Sequence, residues 1–252
     1  MITPDELSNA PLEIVEMYVE LEDFIISDMA RRISNIDFSA TSERQLLNAI
    51  ELGFDQNYIE DKIAEVLKIS KKALEYKMLE YAKKNIYTEN KLYEKANMNT
   101  FDIKNKKLKQ YLKKAELQTK GEFENITGSL GFAKKENGKI VYDDIAKMYV
   151  KTANFANMQV ATGITNIQQA VKQAVDKLSK SGLRYVNYES GYSMNVQDAI
   201  NMSVRTSINQ MCSKMNFYMM EQNGVDLVET SAHAGERPSH SEWSGQVFRW
   251  NK

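Results

Sequence analysis

Apolar residues recur at intervals of three and four along most of the chain, which is the spacing of one face of an α-helix. The first stripe follows Thr3 and Pro4, an N-cap residue and a proline at the first helical position. Its apolar members are Ile14, Tyr18, Leu21, Ile25 and Met29. A polar break over residues 37–41 follows, and a second helix is predicted from Thr41 to Gly53.

Two further helices are predicted between residues 58 and 81, with Ser70 as the N-cap of the second. The segment 63–78 also resembles a helix-turn-helix, although Lys68 occupies the turn position that usually holds glycine. Such a motif would place its second helix in the major groove of DNA. A plain helical hairpin has the same apolar pattern, so both interpretations stay open.

The second half of the chain mixes helical and alternating patterns. Asn137-Gly138 between two short apolar runs predicts a hairpin. One helix is predicted over 143–162, and a second is capped by Thr165 or Asn166 and ends at Gly182. A third, started by Ser193 or Asn195, runs from Val196 to Gln222 and is stopped by Asn223-Gly224. Strands are predicted over 183–188, 226–231 and 247–250. The predicted fold class is mainly α: a long N-terminal helical arm (1–114), a bend with a hairpin (115–142) and a small α+β C-terminal unit (143–252).

Composition narrows the class of protein. The chain has 252 residues, 42% of them hydrophobic, and a formal net charge of −1, which argues against wholesale nucleic-acid binding. A single cysteine, Cys212, rules out an internal disulfide and fits a reducing compartment. No apolar run reaches 18 residues, and the acidic N-terminus lacks the apolar core of a signal peptide. We therefore expect a folded protein without a membrane span.

Basic side chains concentrate between residues 104 and 114. This run is typical of a solvated helix face, and it also offers contacts to phosphate, DNA or an acidic partner. The candidate contacts are Lys104, Lys106, Lys107, Lys109, Lys113 and Lys114.

The last twenty residues hold both histidines and both tryptophans of the chain. The residues of a candidate functional motif here are His233, Arg237, His240 and Trp243. Zinc needs three or four ligands, so two histidines would require a carboxylate or another chain to complete a site. A nuclease-like reading would use a histidine as general base and Arg237 to stabilise phosphate charge. No glycine-rich phosphate loop or Ser–His–acid pattern accompanies them, so we predict no catalytic residue, metal or cofactor, and favour an Arg-Pro turn braced by stacking.

The chain resembles the phage minor capsid protein 2 family of tailed phages along nearly its whole length. The most specific part is the pattern His-x-Gly-x-Arg-Pro-x-His-x-x-Trp at residues 233–243. Segments 3–7, 14–33, 182–191 and 204–210 add weaker likeness. Glu236 and Ser244 depart from the pattern, which has a small residue and a glutamine there. Relatives are expected to continue past the last strand into a segment with further Cys and His.

The resemblance implies a minor structural protein of the phage head, similar in role to the Mu F-like head morphogenesis proteins. It would associate with the portal in several copies and aid head assembly or DNA packaging and delivery. The implied partners are the portal protein, the major capsid protein and packaged DNA. The implied location is the virion, in the head interior or at the portal vertex, after assembly in the host cytoplasm. A metal-binding or nuclease-like enzyme using the terminal motif, and a DNA-contacting protein, remain the alternatives.

Overall fold

A computed structural model of the chain describes residues 2–34, 42–129, 133–136, 139–142, 158–159, 162, 164–178, 185–187, 192–230, 239 and 242–250, with the side chains of helix residues 42–60 outside this description. The helices are α1 Pro4–Asn9, α2 Leu12–Ser34, α3 Ser42–Lys95, α4 Lys106–Ser129, α5 Ile167–Leu178 and α6 Val196–Gln222. The strands are β1 Ala133–Glu136, β2 Lys139–Tyr142, β3 Tyr185–Asn187, β4 Ser193–Asn195, β5 Leu227–Glu229 and β6 Val247–Arg249. The predicted fold class, mainly α with a long helical N-terminal region and a small C-terminal unit, is confirmed.

The N-terminal stripe forms two helices rather than the predicted one. Thr3 caps α1, because its hydroxyl accepts from the Glu6 amide at 3.3 Å while the Glu6 carboxylate accepts from the Thr3 amide at 3.1 Å. Pro11 separates α1 from α2, since it has no amide hydrogen to donate to the Leu7 carbonyl one turn earlier. The predicted break over residues 37–41 lies outside the described residues.

Residues 42–95 form one continuous helix of 54 residues, about 80 Å long at 1.5 Å per residue. The predicted helix end at Gly53 and the new start at Tyr58 are therefore wrong. The helix-turn-helix interpretation is also wrong, because Lys68 lies within the helix and not in a turn. Isolated break signals are weak, and tertiary packing overrides them.

Ser70 explains why the helix continues where a cap was predicted. Its side chain is fully buried, and its hydroxyl donates to the Leu67 carbonyl at 3.0 Å. The Tyr18 hydroxyl from α2 lies 3.4 Å away. The Ser70 hydroxyl therefore forms hydrogen bonds within α3 and with α2, and Ser70 is not an N-cap.

α4 begins after a loop and runs past the predicted start of the bend. The Asn105 side chain accepts from the Lys107 and Leu108 amides at 2.9 and 3.3 Å and so caps the helix. Residues 115–129 are helical, and the bend predicted from residue 115 is displaced towards the hairpin. In that hairpin β1 and β2 pair antiparallel with Glu136 opposite Lys139, as predicted, while residues 137 and 138 lie outside the described residues.

The predicted start of α5 and both ends of α6 are confirmed. Asn166 accepts from the Gln169 amide at 2.9 Å, and Asn195 accepts from the Gln197 amide at 2.9 Å. α6 ends at Gln222 with Asn223 as its C-cap, and Gly224 follows with φ 65°, a left-handed backbone that favours glycine. The strand at 185–187 is confirmed, and its partner β4 was not predicted. The helix predicted over 143–162 lies almost wholly outside the described residues.

Four helices, α2, α3, α4 and α6, share one apolar core. At its centre the rings of Tyr18 and Phe123 meet edge to face, 6.2 Å between centroids. Its fully buried large side chains are Ile14, Ile63, Leu74, Met78, Leu108, Phe123 and Ile200. α6 thus packs among the helices of the arm. The division into segments 1–114, 115–142 and 143–252 remains a prediction.

Candidate functional site

Of the four terminal motif side chains, the described part of the chain includes Trp243 alone; His233, Arg237 and His240 lie outside it. Trp243 sits in the turn before β6 and is 42% exposed. Thr230 closes this turn, because its hydroxyl donates to the Trp243 carbonyl and its amide donates to the Gln246 carbonyl at 3.0 Å. Gly245 adopts φ 69°, which favours glycine. The turn places the Trp243 indole at the surface. The role of the four motif residues remains a prediction.

The terminal hairpin of β5 and β6 rests on the end of α6. The Trp250 ring lies 4.6 Å from the Phe217 ring between centroids, and the Trp250 amide donates to the Asp226 carbonyl at 2.6 Å. The Arg249 guanidinium pairs with the Asp226 carboxylate at 3.2 Å. Both faces of the hairpin remain largely exposed. Among the described residues, the contact between the Phe217 and Trp250 rings joins the hairpin to α6, and the Asp226 contacts join its two strands.

The six candidate lysines all have exposed side chains, and five of them lie on α4. Lys113 pairs with Glu116 at 3.6 Å, and the Lys107 ammonium lies 5.6 Å from the centre of the Tyr111 ring. The first turn of α4 contains no acidic residue. Cations at a helix N-terminus face the positive end of the helix dipole, an unfavourable placement that a bound anion would relieve.

Lys114 also lines a cleft between α4 and α6 of about 430 Å³. α4 contributes Tyr111, Lys114, Ala115 and Gln118, and α6 contributes Ser207, Gln210, Met211 and Lys214. Lys214 could not be predicted as a site residue, because nothing in the local sequence distinguishes it from the other polar residues of a long helix. Only the packing of α6 on α4 brings it to Lys114.

Two ion pairs between helices shift the pKa values of their carboxyl groups. The Lys84 ammonium donates to the Glu6 carboxylate at 2.7 Å, which lowers the pKa of Glu6 and raises the pKa of Lys84. The hydrogen bond from Lys120 lowers the pKa of Glu75 in the same way. These pairs join α1 and α4 to α3 at the surface, and we read them as braces of the bundle rather than as acid–base chemistry.

Cys212 lines a second, smaller cavity of about 80 Å³. Burial raises the pKa of its thiol to about 12. A thiol this reluctant to ionise is a poor nucleophile and a poor metal ligand. Among the described residues, no three His, Cys, Asp or Glu side chains are grouped closely enough to hold a metal ion. The described helices also include none with the length and apolar character needed to cross a membrane.

Comparison of the sequence with known proteins identifies a family that covers nearly the whole chain. No curated protein and no solved structure matches it. The family model described as phage minor capsid protein 2 matches residues 2–251, from the cap of α1 to the end of the terminal hairpin. A match over nearly the whole length confirms the resemblance first suggested by the terminal motif, and the chain belongs to the phage minor capsid protein 2 family.

Proposed function

We propose that this protein associates with the portal and aids head assembly or DNA packaging and delivery. Family membership over residues 2–251 supports a structural role in the phage virion, with contacts to other head components. Portal binding is a more specific proposal than family membership alone supports. It is supported by one exposed face of α3.

Three large apolar side chains form this face, which we call the α3 row: Ile69, Tyr76 and Tyr87. They are 44%, 68% and 62% exposed. Eighteen residues make five helical turns, so Ile69 and Tyr87 lie on one line along the helix and Tyr76 lies about 20° from it. Aligned aromatic and apolar groups on a solvent-facing helix are typical of protein interfaces.

The charges beside the α3 row are of both signs. Lys72, Glu80 and Lys83 are exposed on the same face, and the Lys91 ammonium lies 4.4 Å from the centre of the Tyr87 ring. An apolar centre with a mixed charged rim suits a specific protein partner better than a polyanion. We assign the portal protein to this face.

Several copies around the portal, contacts to the major capsid protein and a place at the portal vertex are part of the same proposal. We propose that the terminal motif of His233, Arg237, His240 and Trp243 braces the C-terminal unit and has no enzymatic role. Its support is the family and the surface position of Trp243.

The test is co-purification with the portal protein of the same phage. Removing the whole arm is a poor test, because α3 contributes Leu74 and Met78 to the shared core. The variant Ile69→Asp/Tyr76→Asp/Tyr87→Asp changes exposed positions only. We expect at least ~10-fold weaker capture, since interface anchors contribute about 2 kcal/mol or more each.

The matched control is Leu92→Asp/Leu117→Asp. Both side chains are 58% exposed, and Leu92 lies about 140° around α3 from the row. This control should bind the portal as the wild type does. Retention of the row variant at wild-type level, with unchanged helicity in both variants, would show that the α3 row is not the portal surface.

A further inference from the structure

We propose that the cleft between α4 and α6 binds the phosphodiester backbone of nucleic acid, with Lys114 and Lys214 as its paired cationic contacts. The cleft and the α3 row use different side chains. The proposal therefore stands independently of portal binding.

The first support is electrostatic. Of the eight residues that line the cleft, two are lysines, one from each helix, and none is acidic. In the described part of the chain neither ammonium forms an ion pair, whereas Lys71, Lys77, Lys84, Lys113 and Lys120 each pair with a glutamate. Two unpaired cations facing one cavity repel each other until an anion enters.

The second support is the set of neutral hydrogen-bonding groups between the lysines. Gln118 and Gln210 carry amides and Ser207 carries a hydroxyl, and all three line the cavity. Ser207, Gln210 and Lys214 follow at intervals of three and four, so they share one face of α6. Amide and hydroxyl donors beside cations are the usual contacts to phosphate oxygens.

The third support is a basic line that continues beyond the cleft. Lys107 precedes Lys114 by seven residues and lies on the same side of α4, about 10 Å away along the helix. A distance of about 10 Å spans roughly three phosphates of one strand at 3.4 Å each. The exposed lysines Lys104, Lys106, Lys109 and Lys113 flank this line. The acids near it are Asp102, Glu116, which pairs with Lys113, Glu122, and Glu124, which pairs with Lys71.

The extent of this line favours a polymer over a single phosphate ion. Gly121 lies seven residues after Lys114 on the same side of α4, and a Cβ there would meet no atom within 4 Å. A phosphate chain would thus meet no steric obstacle at Gly121, and Lys107 extends the positive charge in the opposite direction from Lys114. A chain of phosphates can follow this path, whereas a single ion would occupy only the lysine pair.

The experiment measures fluorescence anisotropy of labelled single-stranded and duplex DNA with the full chain at 50 to 200 mM salt. The variant is Lys114→Ala/Lys214→Ala. We expect its affinity at 50 mM salt to fall by about 10-fold and its salt slope to decrease by about two, one for each lost phosphate contact. The control Lys68→Ala/Lys83→Ala removes the same charge from exposed positions of α3 and should keep the wild-type slope.

Equal losses in both variants would overturn the proposal, because the effect would then reflect net charge alone. Binding of pyrophosphate without binding of either DNA would overturn the nucleic-acid assignment. Thermal melting of all variants, with unchanged midpoints expected, separates a lost contact from a lost fold. Portal capture by the cleft variant should remain at wild-type level, so failure here is distinguishable from failure of the portal proposal.

Discussion

Two buried polar side chains, Cys212 and Ser70, have chemical environments that are set by the packing of the core. Cys212 is 6% exposed among α6 residues that pack on the arm, and burial raises its thiol pKa to about 12. Ser70 is fully buried and lies beside the Tyr18 hydroxyl. The sequence pattern predicted Ser70 as a cap, because a serine before an apolar run favours one. Its actual environment depends on a tyrosine 52 residues earlier, which no local pattern contains.

Cys212 should resist alkylation in the folded protein. A rise of its pKa from 9.0 to about 12 reduces the thiolate fraction at pH 8 about 1,000-fold. Iodoacetamide at pH 8, followed by mass spectrometry, should modify Cys212 slowly in buffer and rapidly in denaturant. Rapid labelling under native conditions would contradict the buried position.

The same shift links stability to pH. The folded thiol keeps its proton at a pH where the unfolded thiol has lost it, so the free energy of unfolding falls as pH rises through the unfolded pKa of 9.0. Cys212→Ala lacks this contribution. Between pH 8 and pH 10 its stability should therefore decline less steeply than that of the wild type in urea titrations.

At the scale of elements, the ends of α6 and the β1–β2 hairpin were predictable, whereas the course of α3 was not. Asn195, Asn223 and Gly224 act through neighbours within a few residues, and that is the range a sequence pattern covers. Breaks at Gly53 and Lys68 were predicted from equally local signals. At Lys68 the prediction fails because the buried side chains before and after it, Val66 and Leu74, pack into the same core shared with α2, α4 and α6.

A glycine at position 68 tests the continuous helix. Lys68 is exposed within α3, so Lys68→Gly should lower the free energy of unfolding by about 1 kcal/mol through the poor helix propensity of glycine. Lys68→Ala should change it by only a few tenths. Both are measured by urea denaturation followed by circular dichroism. If residue 68 lay in a turn instead, the glycine variant would be neutral or more stable.

At the scale of the whole molecule, a four-helix core carries a weakly attached terminal hairpin. The core contains the large buried side chains, while the hairpin contacts α6 through Trp250 and Phe217 and exposes both faces. Regions with few buried contacts open before the core does. The β5–β6 hairpin should therefore unfold more easily than the helices that hold the core.

Tryptophan fluorescence should report this difference, because Trp243 and Trp250 are the only tryptophans of the chain. We expect the fluorescence transition in urea to precede the loss of helical circular dichroism. Phe217→Ala should move the fluorescence midpoint to lower urea and leave the helical midpoint nearly unchanged. Leu92→Ala, an exposed site on α3, should move neither. Coincident transitions in the wild type would show that the hairpin unfolds with the core.

The sequence by itself determined the family, the helical class, the bounds of α6 and the first hairpin, because caps, turns and a specific motif are local properties. Tertiary structure alone decided that α3 is continuous, that Ile69, Tyr76 and Tyr87 remain at the surface, and that Lys114 and Lys214 line one cleft. These features depend on which faces other helices cover. Which helix covers which face, and which charges lie close together, depend on residues that are far apart in the chain. Hydrophobic periodicity describes only neighbouring residues and cannot predict these contacts.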